Sequence, residues 1–282
     1  MFSPALAGPH VLDIAIAREP GRTRLRGRFF GRRPLEPDPD NAGAGSYRLL
    51  SIVRPFLLAL EDDMANPEPL GRLHVIIDAR PGQRDANLRL VDEVLAGGAP
   101  VLQLRAKEMV DAALYELAVE IVDRCAAVGA ACVLNDRADV AVAAGAAGVH
   151  VGQDDLPVAA ARAVVGPLAA VGGTARGPEL AAQHQAAGAS YLGIGPIYAT
   201  SSKRGLPNPL GPTVLSRVAA AVDIPLVAIS GVTVERVAEL LAAGAYGVAV
   251  IAAVANAADP RRATARFVDA IEAAIAMPGP SR

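Results

Sequence analysis

The sequence predicts an α/β protein, a (β/α)8 TIM barrel preceded by a disordered N-terminal extension. Three observations carry that prediction. From Leu73 onward, short apolar runs alternate with Ala-rich stretches of helical length. Eight such runs fall within about 210 residues, a normal length for one barrel. A small Gly-centred motif also recurs before every second run. The composition agrees: 52% of residues are hydrophobic and only 4% aromatic, with no Trp, which suits short buried strands and closely packed helices.

Taken in order, residues 1–70 are dense in Pro, Gly and Arg. The stretch 18–33 in particular is rich in guanidinium groups without helical or strand periodicity, so the segment is expected to be a low-order extension. Met64 stands about ten residues ahead of the first strand and is a candidate true start, which would make residues 1–63 dispensable. The barrel is expected over 71–276, followed by a short tail at 277–282. Its strands are predicted at 73–77, 101–105, 132–136, 148–152, 170–173, 191–197, 225–230 and 247–251. A helical pattern follows each, for example 114–128, 158–165, 179–187 and 234–243. Ala96-Gly97-Gly98-Ala99, Ala144-Gly145-Ala146, Ala187-Gly188-Ala189 and Ala243-Gly244-Ala245 precede the even-numbered strands. Such a glycine ends a helix and turns the chain toward the next strand. An open doubly wound sheet is the competing architecture. It usually carries a dinucleotide fingerprint after its first strand, where this chain reads Asp78-Ala79-Arg80-Pro81.

Bulk properties narrow the function. With 27 basic and 29 acidic side chains the formal charge is -2, so there is no footprint for nucleic acid or an anionic membrane, and small-molecule ligands fit better. Cys125 and Cys132 indicate neither a disulfide framework nor a zinc site. No apolar run reaches the roughly 18 residues of a membrane span, and the start lacks the order of a signal peptide. A soluble, cytoplasmic protein is expected. A homo-oligomer is compatible with the sequence.

Catalytic groups of a parallel barrel gather where strands end. Gln103, Arg105 and Lys107 alternate, which places an amide and two cations on one face of the second strand. Lone strand-end cations are usually solvated, snorkelling side chains; three polar groups in alternation favour anion binding. The third strand ends in Asn135-Asp136, and Gln153-Asp154-Asp155 follows the fourth. Carboxylates approaching from neighbouring strands suit Mg²⁺, which takes one or two of them together with substrate phosphates and waters. The plainer reading makes Asp136 and Asp155 helix caps or turn residues. That plainer reading is preferred for Asp154. His150 reads as a hydrogen-bonded strand residue and receives no role. The loop after the sixth strand, Gly195-Pro196-Ile197-Tyr198-Ala199-Thr200-Ser201-Ser202-Lys203-Arg204-Gly205, combines hydroxyls and cations as a diphosphate lid would. Ser230-Gly231 and Ile251-Ala252-Ala253 are small enough to let backbone approach a phosphate, or to pack helices closely.

The ordered set Gln103-Leu104-Arg105-Ala106-Lys107, Asn135-Asp136-Arg137-Ala138-Asp139, Gly148-Val149-His150-Val151-Gly152-Gln153-Asp154-Asp155 and Gly193-Ile194-Gly195-Pro196-Ile197-Tyr198 resembles the thiamine-phosphate synthase (thiamine-phosphate pyrophosphorylase) family. The resemblance covers about residues 73–274. It implies a transferase that condenses an aminopyrimidine diphosphate, 4-amino-2-methyl-5-hydroxymethylpyrimidine diphosphate, with a hydroxyethylthiazole phosphate or its carboxylated form. The products would be thiamine phosphate and pyrophosphate, formed by dissociative loss of pyrophosphate. By the same resemblance Gln103, Arg105, Lys107, Asn135, Thr174 and Lys203 would meet the pyrimidine diphosphate, with Arg105, Lys107 and Lys203 stabilising the departing charge. Asp136 and Asp155 would hold Mg²⁺. Thr200, Ser202, Ser230, Gly231, Ile251 and Ala252 would surround the thiazole phosphate.

Four departures from the family pattern bear on affinity rather than reaction type. The family usually has Glu at Ala106, a Ser-rich turn at Gly173-Thr174-Ala175-Arg176, Gly at Ser230 and Ser at Ala252. Two alternatives share the barrel: a thiazole tautomerase-like relative, less similar around Gly152-Gln153-Asp154-Asp155, and a non-catalytic ligand-binding barrel, against which both Asp136 and Asp155 argue.

Overall fold

The computed structural model describes residues 11–19, 22–30, 70–200 and 207–276. The chain divides into two units, 1–61 and 62–282. In the first unit the described residues form an antiparallel hairpin, Val11–Glu19 paired with Arg22–Phe30 in a register that runs from Val11↔Phe30 to Glu19↔Arg22. The expectation of a low-order extension over 1–70 falls mostly on residues outside the described ones. Leu12, Ile14 and Ile16 do alternate with smaller or polar residues, and Pro20-Gly21 is a turn dipeptide between the two runs.

The second unit is a closed parallel barrel of eight strands. They are β1 Leu73–Asp78, β2 Val101–Arg105, β3 Ala131–Asn135, β4 Gly148–Val151, β5 Ala170–Ala175, β6 Tyr191–Ile194, β7 Leu226–Ile229 and β8 Gly247–Val250. Each strand pairs with the next, and β8 closes on β1 with Val248 opposite Leu73. The helices among the described residues are α1 Arg84–Ala96, α2 Asp111–Val128, α3 Ala138–Ala144, α4 Val158–Val165, α5 Pro178–Ala186, α6 Gly211–Ala219, α7 Val237–Ala242, α8 Ala252–Ala255 and α9 Pro260–Ala276. A 3₁₀ turn, Val234–Arg236, enters α7. Gly145 ends α3 in the left-handed conformation, φ 69, which only a residue without a Cβ adopts freely. The motif before the even strands therefore does what its position suggests.

Strand alternation sorts the core into two. Leu73, Val75 and Ile77 of β1, with Leu102 and Leu104 of β2, pack among helix residues such as Val91, Ile121 and Phe267. Ile76, Tyr191, Val227 and Ala249 form a separate cluster. Each outward Leu or Ile gains about 1.5–3 kcal/mol by burial. A slip of one residue would exchange the two sets, so the outer packing fixes which side chains face the barrel interior and its mouth.

His74 lies on the interior set, 1% exposed, with its ring centroid 5.3 Å from that of Tyr191. Burial, reinforced by His150 and opposed by a Gly71 backbone hydrogen bond, lowers its pKa from 6.5 to about 3. The unfolded chain thus takes up a proton near pH 6.5 that the fold refuses until about pH 3. Stability from His74 is complete above the unfolded value and is lost as pH falls through this window, by about 1.4 kcal/mol per pH unit. Urea unfolding of the wild type and His74→Gln at about pH 7 and about pH 5 should show a smaller acid-induced loss in the variant, by roughly 2 kcal/mol. Equal losses in the two proteins would refute this account of His74.

Candidate active site

The C-terminal ends of the strands open on a cavity of about 460 Å³. On one side, β2 delivers Gln103 and Arg105, with Lys107 two residues past the strand end, and all three line it. Arg105 is ion-paired with Asp78, the last residue of β1. Lys107 Nζ lies 3.1 Å from Asp136 Oδ2 and 4.0 Å from Asp155 Oδ1. Asp136 follows Asn135 at the end of β3 with φ 66, a conformation uncommon outside glycine and tolerated best by Asn and Asp. Its N–H donates to the His150 carbonyl at 2.8 Å, which fixes the turn. Asp155 Oδ2 accepts from the Gly152 N–H at 2.8 Å. One oxygen of Asp155 therefore makes a turn while the other faces Lys107. Asp154 is exposed and does not line the cavity.

Desolvation, then the neighbouring Asp155, pushes the Asp136 carboxyl up to about 6, against the pull of Lys107. Two carboxylates brought together in a half-buried site repel, and a cation between them relieves this. The ammonium already shows that a cation is accommodated there. Among the described residues no group of three or more His, Cys, Asp or Glu side chains could hold a metal ion. A two-carboxylate set fits a hard cation that completes its shell with substrate oxygens and water.

The floor is polar. His150 of β4 approaches Thr174 Oγ1 at 3.0 Å through Nε2 and the Tyr191 hydroxyl at 3.2 Å through Nδ1. Burial, helped by His184 and opposed by Asp155, lowers its pKa to about 4, so the ring is neutral at physiological pH. Gly172 and Gly193 make room for it: a Cβ at Gly172 would overlap Tyr191 and His150, and one at Gly193 would sit 3.0 Å from His150 Cε1. Thr174 falls within β5, one residue beyond the predicted strand end, and lines the cavity.

Opposite, Ser230 and Gly231 follow β7, and Ile251 and Ala252 follow β8. These four residues and Thr200 also line the cavity. Ser230 adopts φ 78, which costs an L-residue about 1–2 kcal/mol and which glycine, the residue that the resemblance leads one to expect here, would adopt without that strain. Asn135 lines the same cavity. Ser202 and Lys203 lie outside the described residues.

Among the lining residues that the sequence reading gave no role are His150, a hydrogen-bonded strand residue as expected, and Arg236. His150 could have been found by strand parity, because Val149 and Val151 take the outward face. Arg236, within the 3₁₀ turn before α7, carried no signal, since a lone Arg at a helix start reads as a solvated cation.

The fold and mouth define a (β/α)8 barrel with a polar cavity at its strand ends, with cations and paired carboxylates on one side and small residues on the other, a set suited to anionic ligands. Comparison with known proteins narrows this. Residues 73–254 match the family model described as thiamine monophosphate synthase. The chain is 53% identical over 203 residues to a thiamine-phosphate synthase of Salinispora arenicola, covering 72% of this chain and 98% of the relative. It is 41% identical to that of Salinibacter ruber, covering 77% and 98%. A solved thiamine phosphate pyrophosphorylase from Pyrococcus furiosus superposes with TM-score 0.65 at 31% identity, covering 72% of this chain and 96% of that one. The chain belongs to the thiamine monophosphate synthase family.

Proposed function

We infer that the chain catalyses the thiamine-phosphate synthase reaction, joining an aminopyrimidine diphosphate to a thiazole phosphate with release of pyrophosphate. The observation that carries this reading is the Lys107–Asp136–Asp155 cluster facing a small-residue cleft across one cavity. One substrate has a leaving diphosphate and the other a retained phosphate, so two unlike anion sites are needed around one reaction centre.

The bond between the pyrimidine methylene and the diphosphate oxygen breaks with its electron pair, and pyrophosphate leaves. The thiazole nitrogen then donates its lone pair to the cationic methylene carbon. No proton need be removed, so the residues act by neutralising charge and by alignment. We assign Arg105, Lys107 and Lys203 to the departing charge, and Gln103, Asn135 and Thr174 to the pyrimidine and its diphosphate. Asp78 holds Arg105, and His150 holds the Thr174 hydroxyl. Thr200, Ser202, Ser230, Gly231, Ile251 and Ala252 are assigned to the thiazole phosphate. Asp136 and Asp155 would hold Mg²⁺, which supplies Lewis-acid stabilisation of the leaving group. Among the described residues no helix is long and apolar enough to cross a membrane. We place the protein in the cytoplasm, where its free thiols Cys125 and Cys132 would persist.

Pyrophosphate release with both substrates and Mg²⁺ should fall by about two to four decades in Asp136→Asn and in Asp155→Asn. Excess Mg²⁺ should recover part of this. Asp154→Asn should lose less than about tenfold. Normal rates in both of the first two variants would reject the metal-assisted reading; a crippled Asp154→Asn beside a silent Asp155→Asn would shift the ligand by one residue.

The relatives from Salinispora arenicola and Salinibacter ruber each align over 98% of their own length. We therefore propose that the barrel, residues 71–276, carries the activity and that residues 1–63 are dispensable. A chain started at Met64 should match the full chain in kcat/KM. Loss of most activity would assign the N-terminal unit a part in the enzyme.

A further inference from the structure

The two ends of the cavity differ in how their cations are balanced. Arg105 is paired with Asp78, and Lys107 with Asp136 and Asp155. A third cation, Arg236, lines the end formed after β7 and β8. None of the ion pairs among the described residues includes it. Its two neighbouring carboxylates are engaged elsewhere: Glu235 meets Arg266 at 3.5 Å, and Glu239 accepts from the Tyr198 hydroxyl at 2.6 Å.

Arg236 is nevertheless held in place. Its Cζ lies 4.0 Å from the centroid of the Tyr198 ring, and Nη1 donates to the Gly231 carbonyl at 2.5 Å. Burial and Glu239 push the Tyr198 hydroxyl up to about 12, so the phenol stays protonated and keeps donating to Glu239. Gly231 makes the stack feasible. A Cβ there would meet the Ala199 carbonyl at 2.6 Å and Tyr198 Cβ at 2.7 Å, so only glycine lets this loop lie so close. A guanidinium has five N–H donors. One is spent on Gly231, and the group stands half-buried on the cavity wall beside Ser230 and Ala252. Ala252 supplies no hydroxyl to this wall. A planar, partly desolvated guanidinium matches phosphate geometry and strengthens each bond it makes.

We propose that Arg236 is a specificity residue that grips the phosphate of the thiazole substrate, with Tyr198 and Gly231 as positioning residues that present the guanidinium. The proposal rests on the thiamine-phosphate synthase reading, and its test has a readout independent of turnover. Binding of thiazole phosphate and of the dephosphorylated thiazole alcohol to the full chain is measured by calorimetry in wild type, Arg236→Met, Arg236→Gln and Arg236→Lys. The KM for each thiazole is then measured at saturating pyrimidine diphosphate and Mg²⁺.

Losing charge-assisted bonds should weaken thiazole phosphate by about tenfold or more in the Met and Gln variants. Alcohol binding and the KM for the diphosphate should barely change. Lys should keep most of the preference for phosphate over alcohol. A purely structural role would weaken phosphate and alcohol alike and leave their ratio untouched, which overturns the proposal. Unchanged thiazole phosphate binding in a folded Met or Gln variant overturns it too. Should Met and Gln both fail to fold, the Lys variant decides: a partial loss of thiazole phosphate binding, a few-fold, with alcohol binding unchanged supports the proposal, and unchanged binding of both ligands, or equal weakening of both, overturns it. A wild type that binds thiazole phosphate through Arg236 but releases no pyrophosphate would refute the reaction and leave this assignment standing.

Discussion

A lysine ammonium placed between two carboxylates, each delivered by a different strand, is the arrangement on which the rest of the site depends. Lys107 comes from β2, Asp136 from the end of β3 and Asp155 from the turn after β4. Those groups meet only if three neighbouring strands keep register with one another. Register is held by outward side chains such as Leu102, Leu104, Leu134 and Val149, which pack under the helices and never touch the cavity. The energetics of the shell therefore set the electrostatics of the mouth. The raised Asp136 carboxyl reflects this constraint, because the fold forces a second carboxylate and partial burial upon it. A divalent cation and a diphosphate bring charges that such a cluster can exchange.

The barrel interior serves the site in another way. Small residues at Gly172 and Gly193 leave volume that His150 and Tyr191 fill, and their hydrogen bonds run to Thr174 at the cavity floor. A neutral imidazole with both nitrogens engaged is a fixed support and not a proton carrier. This agrees with a reaction that shifts electron pairs without removing a proton. On the far side, Ser230 and Gly231 have left-handed backbone, the missing Cβ of Gly231 leaves room for Tyr198, and Arg236 stacks on that ring.

Much of this was legible in the sequence because strand parity is a strong signal. Gln103, Arg105 and Lys107 stand out by alternation with Leu102 and Leu104, and the structure gathers them at one mouth. The glycine before each even strand marked the helix ends. Boundaries were less legible. β6 ends at Ile194 and not at residue 197, since Pro196 has no N–H to donate, although Ile197 still bonds to the Ile229 carbonyl at 2.9 Å. The pattern at 234–243 begins with a 3₁₀ turn before it becomes α7. Arg236 was missed, and His150 was read as a hydrogen-bonded strand residue without its place in the cavity lining. Arg236 depends on a tertiary stack with Tyr198, which local pattern does not encode, whereas His150 had the right parity but stood alone as a polar residue among apolar ones.

The central claim is that one cavity aligns a diphosphate leaving group with a phosphorylated thiazole. Its most direct test follows pyrophosphate and thiamine phosphate together in the full chain, with each substrate alone and with both, with and without Mg²⁺. The account predicts equimolar formation of the two products only when both substrates and Mg²⁺ are present. Pyrophosphate formed without thiamine phosphate, or neither product under the complete conditions, would contradict it.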